Sequence, residues 1–139
     1  MLDDTAMPSV PEIPTLARRL SRHPGFDDLT PDDLEAMQVK GLAHDHLRVK
    51  RRGLVLRVPK QSQFGLPAAD NLAYQAACFD RVSRSGHAPG LAAVLEPDAE
   101  LPMGALVVEE IVGRPPRLPE DLPALAEATS ERAIELLID

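Results

Sequence analysis

Aromatic residues are scarce in this 139-residue chain: three phenylalanines, one tyrosine and no tryptophan. A core built from it must be aliphatic, and its surface offers few platforms on which nucleic-acid bases could stack. The single cysteine, Cys78, excludes an internal disulfide framework and suits a reducing compartment. No apolar run approaches the roughly 20 residues that a membrane span needs. The opening MLDDTAMPSV is acidic and lacks the apolar centre of a secretory signal. An excess of positive charge is missing too: 15 Lys and Arg stand against 22 Asp and Glu, net −7, which argues against nucleic-acid binding driven by bulk charge. What remains is a chain with 44% apolar residues, enough for one core, and the expectation is a single cytoplasmic domain or a large part of one.

Periodicity divides the chain. Ile13, Leu16, Ala17 and Leu20 follow helical spacing, with Pro14 tolerable in a first turn, and HPGF at 23–26 ends that helix. LTPDDLEAM predicts a second helix, with Thr30 as N-cap, Pro31 next and Asp32 and Asp33 in the positive first turn. From Met37 to Pro59 short alternations predict two or three antiparallel strands, with turns near Gly41–Asp45 and Lys50–Gly53. Leu72, Ala76, Phe79 and Val82 form one helical stripe, with Gly86 as its C-cap; Cys78 beside Phe79 reads as an inert core thiol. Residues 91–96 and 104–113 are strand candidates. A final amphipathic helix would present Leu122, Leu125, Ala126, Thr129, Ala133, Leu136 and Leu137 on one face. Strands clustered around one inserted helix indicate an α+β domain, not alternating βαβ units.

One residue breaks the pattern. In RGLVLRVPKQSQ, Leu54, Leu56 and Val58 share one strand face, while Val55 and Arg57 share the other. An apolar wall followed by a cation suits a nucleotide, base against the wall and phosphates against the charge. An edge arginine whose stem covers apolar surface is the plainer reading. Gly41 lies between two strands and could let a loop approach a phosphate, although no GxGxxG or GxxxxGK[ST] motif is present. His44 and His46 flank Asp45, but two ligands without a third do not define a metal site. The cluster Arg48, Lys50, Arg51, Arg52, Arg57 and Lys60 could attract phosphate, or be a solvated hairpin balanced by the acidic DDLTPDDLE. No G-x-S-x-G, H-E-x-x-H or C-x-x-C motif occurs.

Taken together, VKGLAHDHLRV, RGLVLRVP, NLAYQAACF, GALVVEEIVGRP and LPALAEA resemble the N-terminal lobe of the aminoglycoside phosphotransferase and choline-kinase-like enzymes, which share the protein-kinase fold. The resemblance runs from about residue 30 to about 128, carried best by LVLRVP and LVVEEIVGRP as a pair. It implies a five-stranded antiparallel sheet with one inserted helix, organised as an N-terminal extension (1–29), a small lobe (30–116) and a linker helix (117–139). It further implies that the turn from Gly41 through Ala43 and His44 to His46 covers the phosphates of ATP. Arg57 would take the place of the strand lysine that pairs with the α- and β-phosphates. Val55 would line the adenine pocket and Val108 its back. The Glu109 carbonyl and Ile111 N–H would pair with the adenine edge.

Two departures from the family follow. Gln75 stands where the family's helix supplies a glutamate to orient the strand cation, so the ion pair is replaced by a neutral amide. The H-x-D-x-x-x-x-N loop and the metal-binding aspartate belong to the other lobe; neither is present here, so Mg²⁺ and phosphoryl transfer are expected only with that lobe. The expected partners are an adenine nucleotide, and either a separate catalytic-lobe polypeptide or a second copy through an exposed apolar hinge side. Nucleic acid and membrane are not expected. The alternative is a non-enzymatic interaction module that keeps the small-lobe fold.

Overall fold

The computed structural model describes residues 10–38, 42–114 and 116–127. Helix α1, Ile13–Ser21, forms where the spacing predicts it, with Pro14 in the first turn, where a missing N–H leaves no bond unmade. Its buried face is Leu16, Ala17 and Leu20. On its other side Arg19 bonds Asp98 at 2.6 Å, and Arg22 bonds Glu100 at 3.0 Å, tying the helix to the loop before the last strand.

The helix expected from Thr30 does not form. Pro31–Asp33 makes a single 3₁₀ turn, and the chain then enters strand β1, Leu34–Ala36. The N-terminal signals act as expected: the Asp33 carboxylate accepts from the Thr30 N–H at 2.8 Å and from its hydroxyl at 3.0 Å, a capping box. Strand pairing stops the helix from continuing. Leu34 and Ala36 pair with Val49 and Leu47, the Asp33 carbonyl accepts from the Lys50 N–H at 2.8 Å, and Leu34 is buried.

Strands β2 (His44–Val49), β3 (Leu54–Pro59), β4 (Leu91–Leu95) and β5 (Ala105–Glu109) complete a five-stranded antiparallel sheet in the order β1-β2-β3-β5-β4. The β2–β3 turn at Lys50–Gly53 is as predicted, with Arg51 and Gly53 at φ near +64° and +63°. Of the other predicted turn, Gly41–Asp45, His44 and Asp45 already belong to β2, opposite Pro59 and Val58, and Gly41 lies outside the described residues. The expected strand at 104–113 ends at Glu109.

Helix α2, Ala68–Ser83, is inserted between β3 and β4. It ends at Arg84, and Gly86 lies two residues beyond, with φ +75°. Because both sheet faces are covered, the core has two layers. On the α1 side Leu16, Leu20, Leu47, Val49, Leu56, Val58, Leu95 and Val107 pack together. On the α2 side Val55, Leu72, Leu106 and Val108 pack together with Ala76 and Phe79. Each fully buried leucine contributes about 2 kcal/mol of apolar burial. Two expectations about α2 are corrected: Val82 is half exposed, and Cys78 is an exposed free thiol, one residue and hence about 100° off the buried stripe.

After β5 the chain runs outward. Arg114 pairs with Asp121 at 2.7 Å, and residues 122–127 are helical with Leu122 exposed. The remaining positions of the predicted last helix, Thr129, Ala133, Leu136 and Leu137, lie outside the described residues. Among the described residues no helix is long and apolar enough to cross a membrane.

Candidate functional site

The alternation of β2 sends Leu47 and Val49 into the α1 side of the core and leaves His44, His46 and Arg48 for the α2 side. Antiparallel register then sets His46 opposite Arg57 and Arg48 opposite Val55. Arg57 is thus half-buried between a histidine-bearing strand and a helix. From α2, the Phe79 ring lies beneath its guanidinium, 5.4 Å from centroid to carbon. Nη1 lies 3.4 Å from His46 Nε2, and Nη2 lies 3.5 and 3.4 Å from His44 Nδ1 and Nε2. A nitrogen almost equidistant from both ring nitrogens is not aimed at either lone pair, so His44 flanks the cation without a directed bond to it. Arg57 Nε is buried and has no partner among the described residues.

Gln75 occupies the helix position facing this cluster, but its amide oxygen accepts from His44 Nε2 at 3.1 Å instead of bonding Arg57. A neutral amide therefore positions an imidazole, and the imidazole stands beside the cation. Acceptance by Gln75 places the His44 proton on Nε2 and leaves Nδ1 as its basic atom.

Charge pairing separates Arg57 from the other cations of its hairpin. Arg48 bonds Glu110 at 2.6 Å and Glu35 at 3.4 Å, Arg51 bonds Asp33 at 2.8 Å, and Lys60 bonds Asp45 at 2.9 Å. Arg52 pairs with Asp28 and donates to the Gly25 carbonyl. The hairpin is largely neutralised by the acidic stretch before it. Arg57 has no carboxylate partner among the described residues. Burial weakens its hold on its proton, though an arginine stays charged. Burial, then the Arg57 charge, pushes both His44 and His46 below the ordinary imidazole range.

Along the same face toward the sheet's other end, Val55 stands opposite Val108 across β3 and β5, and both are buried with Leu106, Leu72 and Met37. Glu109 closes this end: its N–H donates to the Gly90 carbonyl at 2.9 Å, and its carboxylate accepts from the Gly90 N–H at 3.2 Å. A side chain at Gly90 would meet that carboxylate at 2.8 Å and displace the Glu109 side chain. Ile111 follows, 70% exposed.

The structure therefore gathers His44, Arg57 and Gln75 in one cluster and Val55 with Val108 in a second on the same sheet face, with Glu109 and Ile111 leading away from the latter. Ala43 is buried, and its carbonyl accepts from the Lys60 N–H at 2.7 Å, fixing the approach to β2; Gly41 lies outside the described residues. Sequence reasoning has His46 as the end of a phosphate turn and Arg48 as one of a basic cluster without setting either beside Arg57, and it names neither Phe79 nor Asn71 as a site residue. His46 and Arg48 on the cation's face were legible in the alternation of HDHLRV, once Leu47 and Val49 were taken as core. Phe79 under the guanidinium was legible as core but not as a cation's neighbour. Asn71, fully buried in α2 with Nδ2 unpartnered, gave no signal in the sequence. Among the described residues no three His, Cys, Asp or Glu side chains gather into a metal site, and the cation beside His44 and His46 disfavours a second one there.

No family model, curated protein or solved structure matches the chain.

Proposed function

We propose that the chain is the ATP-binding N-terminal lobe of a small-molecule kinase resembling the aminoglycoside phosphotransferases, with the nucleotide phosphates against Arg57. One observation carries this reading: Arg57 is a half-buried guanidinium without a carboxylate among the described residues, in a hairpin where Arg48, Arg51, Arg52 and Lys60 each have one. A folded protein tolerates such a charge where an anion completes it. Support comes also from the five-stranded antiparallel sheet with a single helix between its third and fourth strands, and from Val55 and Val108 meeting beside the outward-running segment 109–112. In kinases the phosphate-pairing cation stands on the third strand and its orienting partner on the following helix; Arg57 stands on the third strand here, and Gln75 on the following helix bonds His44. On this reading the chain binds nucleotide without transferring the phosphoryl group, since the sequence carries no H-x-D-x-x-x-x-N motif. Mg²⁺ would join with the carboxylates of a catalytic lobe.

Calorimetric titration with ATP tests the proposal. Binding at about millimolar ATP is expected, weakened roughly tenfold or more in Arg57→Met, which keeps the stem and removes the charge. Equal affinity in the two proteins would refute the assignment of Arg57.

A second reading, a non-enzymatic interaction module, is favoured by Gln75, which serves His44 and not the cation. A stable complex with another polypeptide, and no heat with ATP, is the result that reading expects.

A further inference from the structure

We propose that an anion bound at Arg57 is taken up together with a proton on the His44–His46 pair, so that the site holds phosphate more tightly as pH falls. This rests on the reading of Arg57 as the phosphate-facing cation and adds to it how the site is regulated.

On one side of the sheet the Arg57 guanidinium has nitrogens 3.4–3.5 Å from ring nitrogens of both His44 and His46, whose ring centroids lie 6.3 Å apart. Among the described residues no carboxylate already compensates this trio. From α2 come Gln75 and Phe79, both neutral, and from β5 comes Leu106. On β1, Glu35 is engaged by Arg48. On β2, Asp45 lies between the histidines in sequence, but alternation turns it to the other face, where Lys60 holds it at 2.9 Å. Its charge acts weakly on His46 in favour of the imidazolium, against burial and Arg57.

Without an anion a second charge beside Arg57 is opposed by burial and by repulsion. A phosphate dianion against Arg57 inverts that balance, since an opposite charge within about 4–6 Å favours the protonated imidazole. The proton comes from solvent and goes to His44 Nδ1, the nitrogen not used toward Gln75. Binding therefore consumes a proton wherever solution pH lies between the free and the anion-bound imidazole values. Over that window affinity changes about tenfold per pH unit for each proton taken up.

Sulfate is the cleanest probe, because its own charge does not change near neutrality. The full chain is titrated with sodium sulfate, inorganic triphosphate and ATP at about pH 6 and about pH 8, the bracket of imidazole ionisation. Each calorimetric run is repeated in two buffers of different ionisation enthalpy, and the His44 and His46 ring protons are followed by NMR. The expected result is sulfate binding about tenfold or more tighter at the lower pH, proton uptake from the buffer, and a raised imidazole titration midpoint when sulfate is present. His44→Asn and His46→Asn together should flatten the pH dependence and leave a weaker, pH-independent affinity that Arg57→Met removes. Pairwise comparison of ligands separates the two claims. ATP bound at Arg57 with no proton uptake and unchanged ring titrations overturns the coupling and leaves the nucleotide lobe standing. Sulfate and triphosphate taken up with a proton, and ATP no tighter than triphosphate, sustains the coupling and removes the nucleotide reading. No binding of any of the three overturns both.

Discussion

At the scale of single residues, the account turns on a cation that stability alone would not favour. Removing a half-buried charge that has no counter-ion among the described residues should stabilise the fold, so Arg57→Met is expected to raise unfolding free energy by roughly 1 kcal/mol in urea denaturation while weakening anion binding. A loss of stability of similar size would instead mark Arg57 as structural, its stem and its Phe79 contact being the reason for its place. The histidines set a second expectation. Burial and Arg57 hold both below the usual imidazole value in the fold, so between the folded and unfolded values the unfolded chain binds more protons. Their contribution to stability is complete above the unfolded value of about 6.5 and is lost as pH falls below it. Chemical denaturation between about pH 7.5 and pH 5.5 should show this decline, reduced by sulfate and by His44→Asn. A flat profile would contradict it. Two carboxylates act in a lower window: Asp33, held down by the Thr30 N–H and by Arg51, and Asp28, held down by Arg52, lose their pairing only as pH drops through the carboxylate range.

At the scale of elements, two positions carry more than their length suggests. Asp33 joins the turn before β1 to Arg51 in the next hairpin, so Asp33→Ala should cost roughly 1–2 kcal/mol by loss of the cap and of its bonds. Gly104 has φ +65°, and a side chain there would lie 2.6 Å from the Leu95 carbonyl and 2.8 Å from Leu72, so Gly104→Ala should cost about 2–4 kcal/mol in thermal or chemical melts. A change below about 1 kcal/mol at Gly104 would show that the turn relaxes. These elements also show what the sequence made legible. Periodicity places α1, α2, β3 and the two final strands, because each buries a face whose spacing is regular. It misplaces the segment after Thr30, since a cap is a local signal and continuation is not: Leu34 and Ala36 are spent on pairing with Leu47 and Val49, partners more than ten residues away. It puts Arg57 on the right face but cannot show that the fold brings Gln75 to His44, 31 positions earlier.

At the scale of the whole molecule, apolar surface accumulates past β5. Ile111 and Val112 are 70% and 92% exposed, and Leu118 and Leu122 follow at 65% and 54%. On the proposed reading this side meets a catalytic lobe. Alone, the chain should self-associate, and Val112→Asp with Leu118→Ser should shift it toward monomer in sedimentation velocity. A wild-type chain that stays monomeric at all concentrations would contradict this. The central claim is that one sheet face, from His44 through Arg57 and Val55 to Ile111, is a single nucleotide site. Backbone NMR of the isotope-labelled chain during an ATP titration tests it most directly, with Arg57→Met alongside. The account predicts shifts concentrated at Ala43–His46, Val55, Arg57 and Glu109–Ile111, reduced throughout in the variant. No shifts at about millimolar ATP, or shifts confined to other parts of the surface, would contradict it.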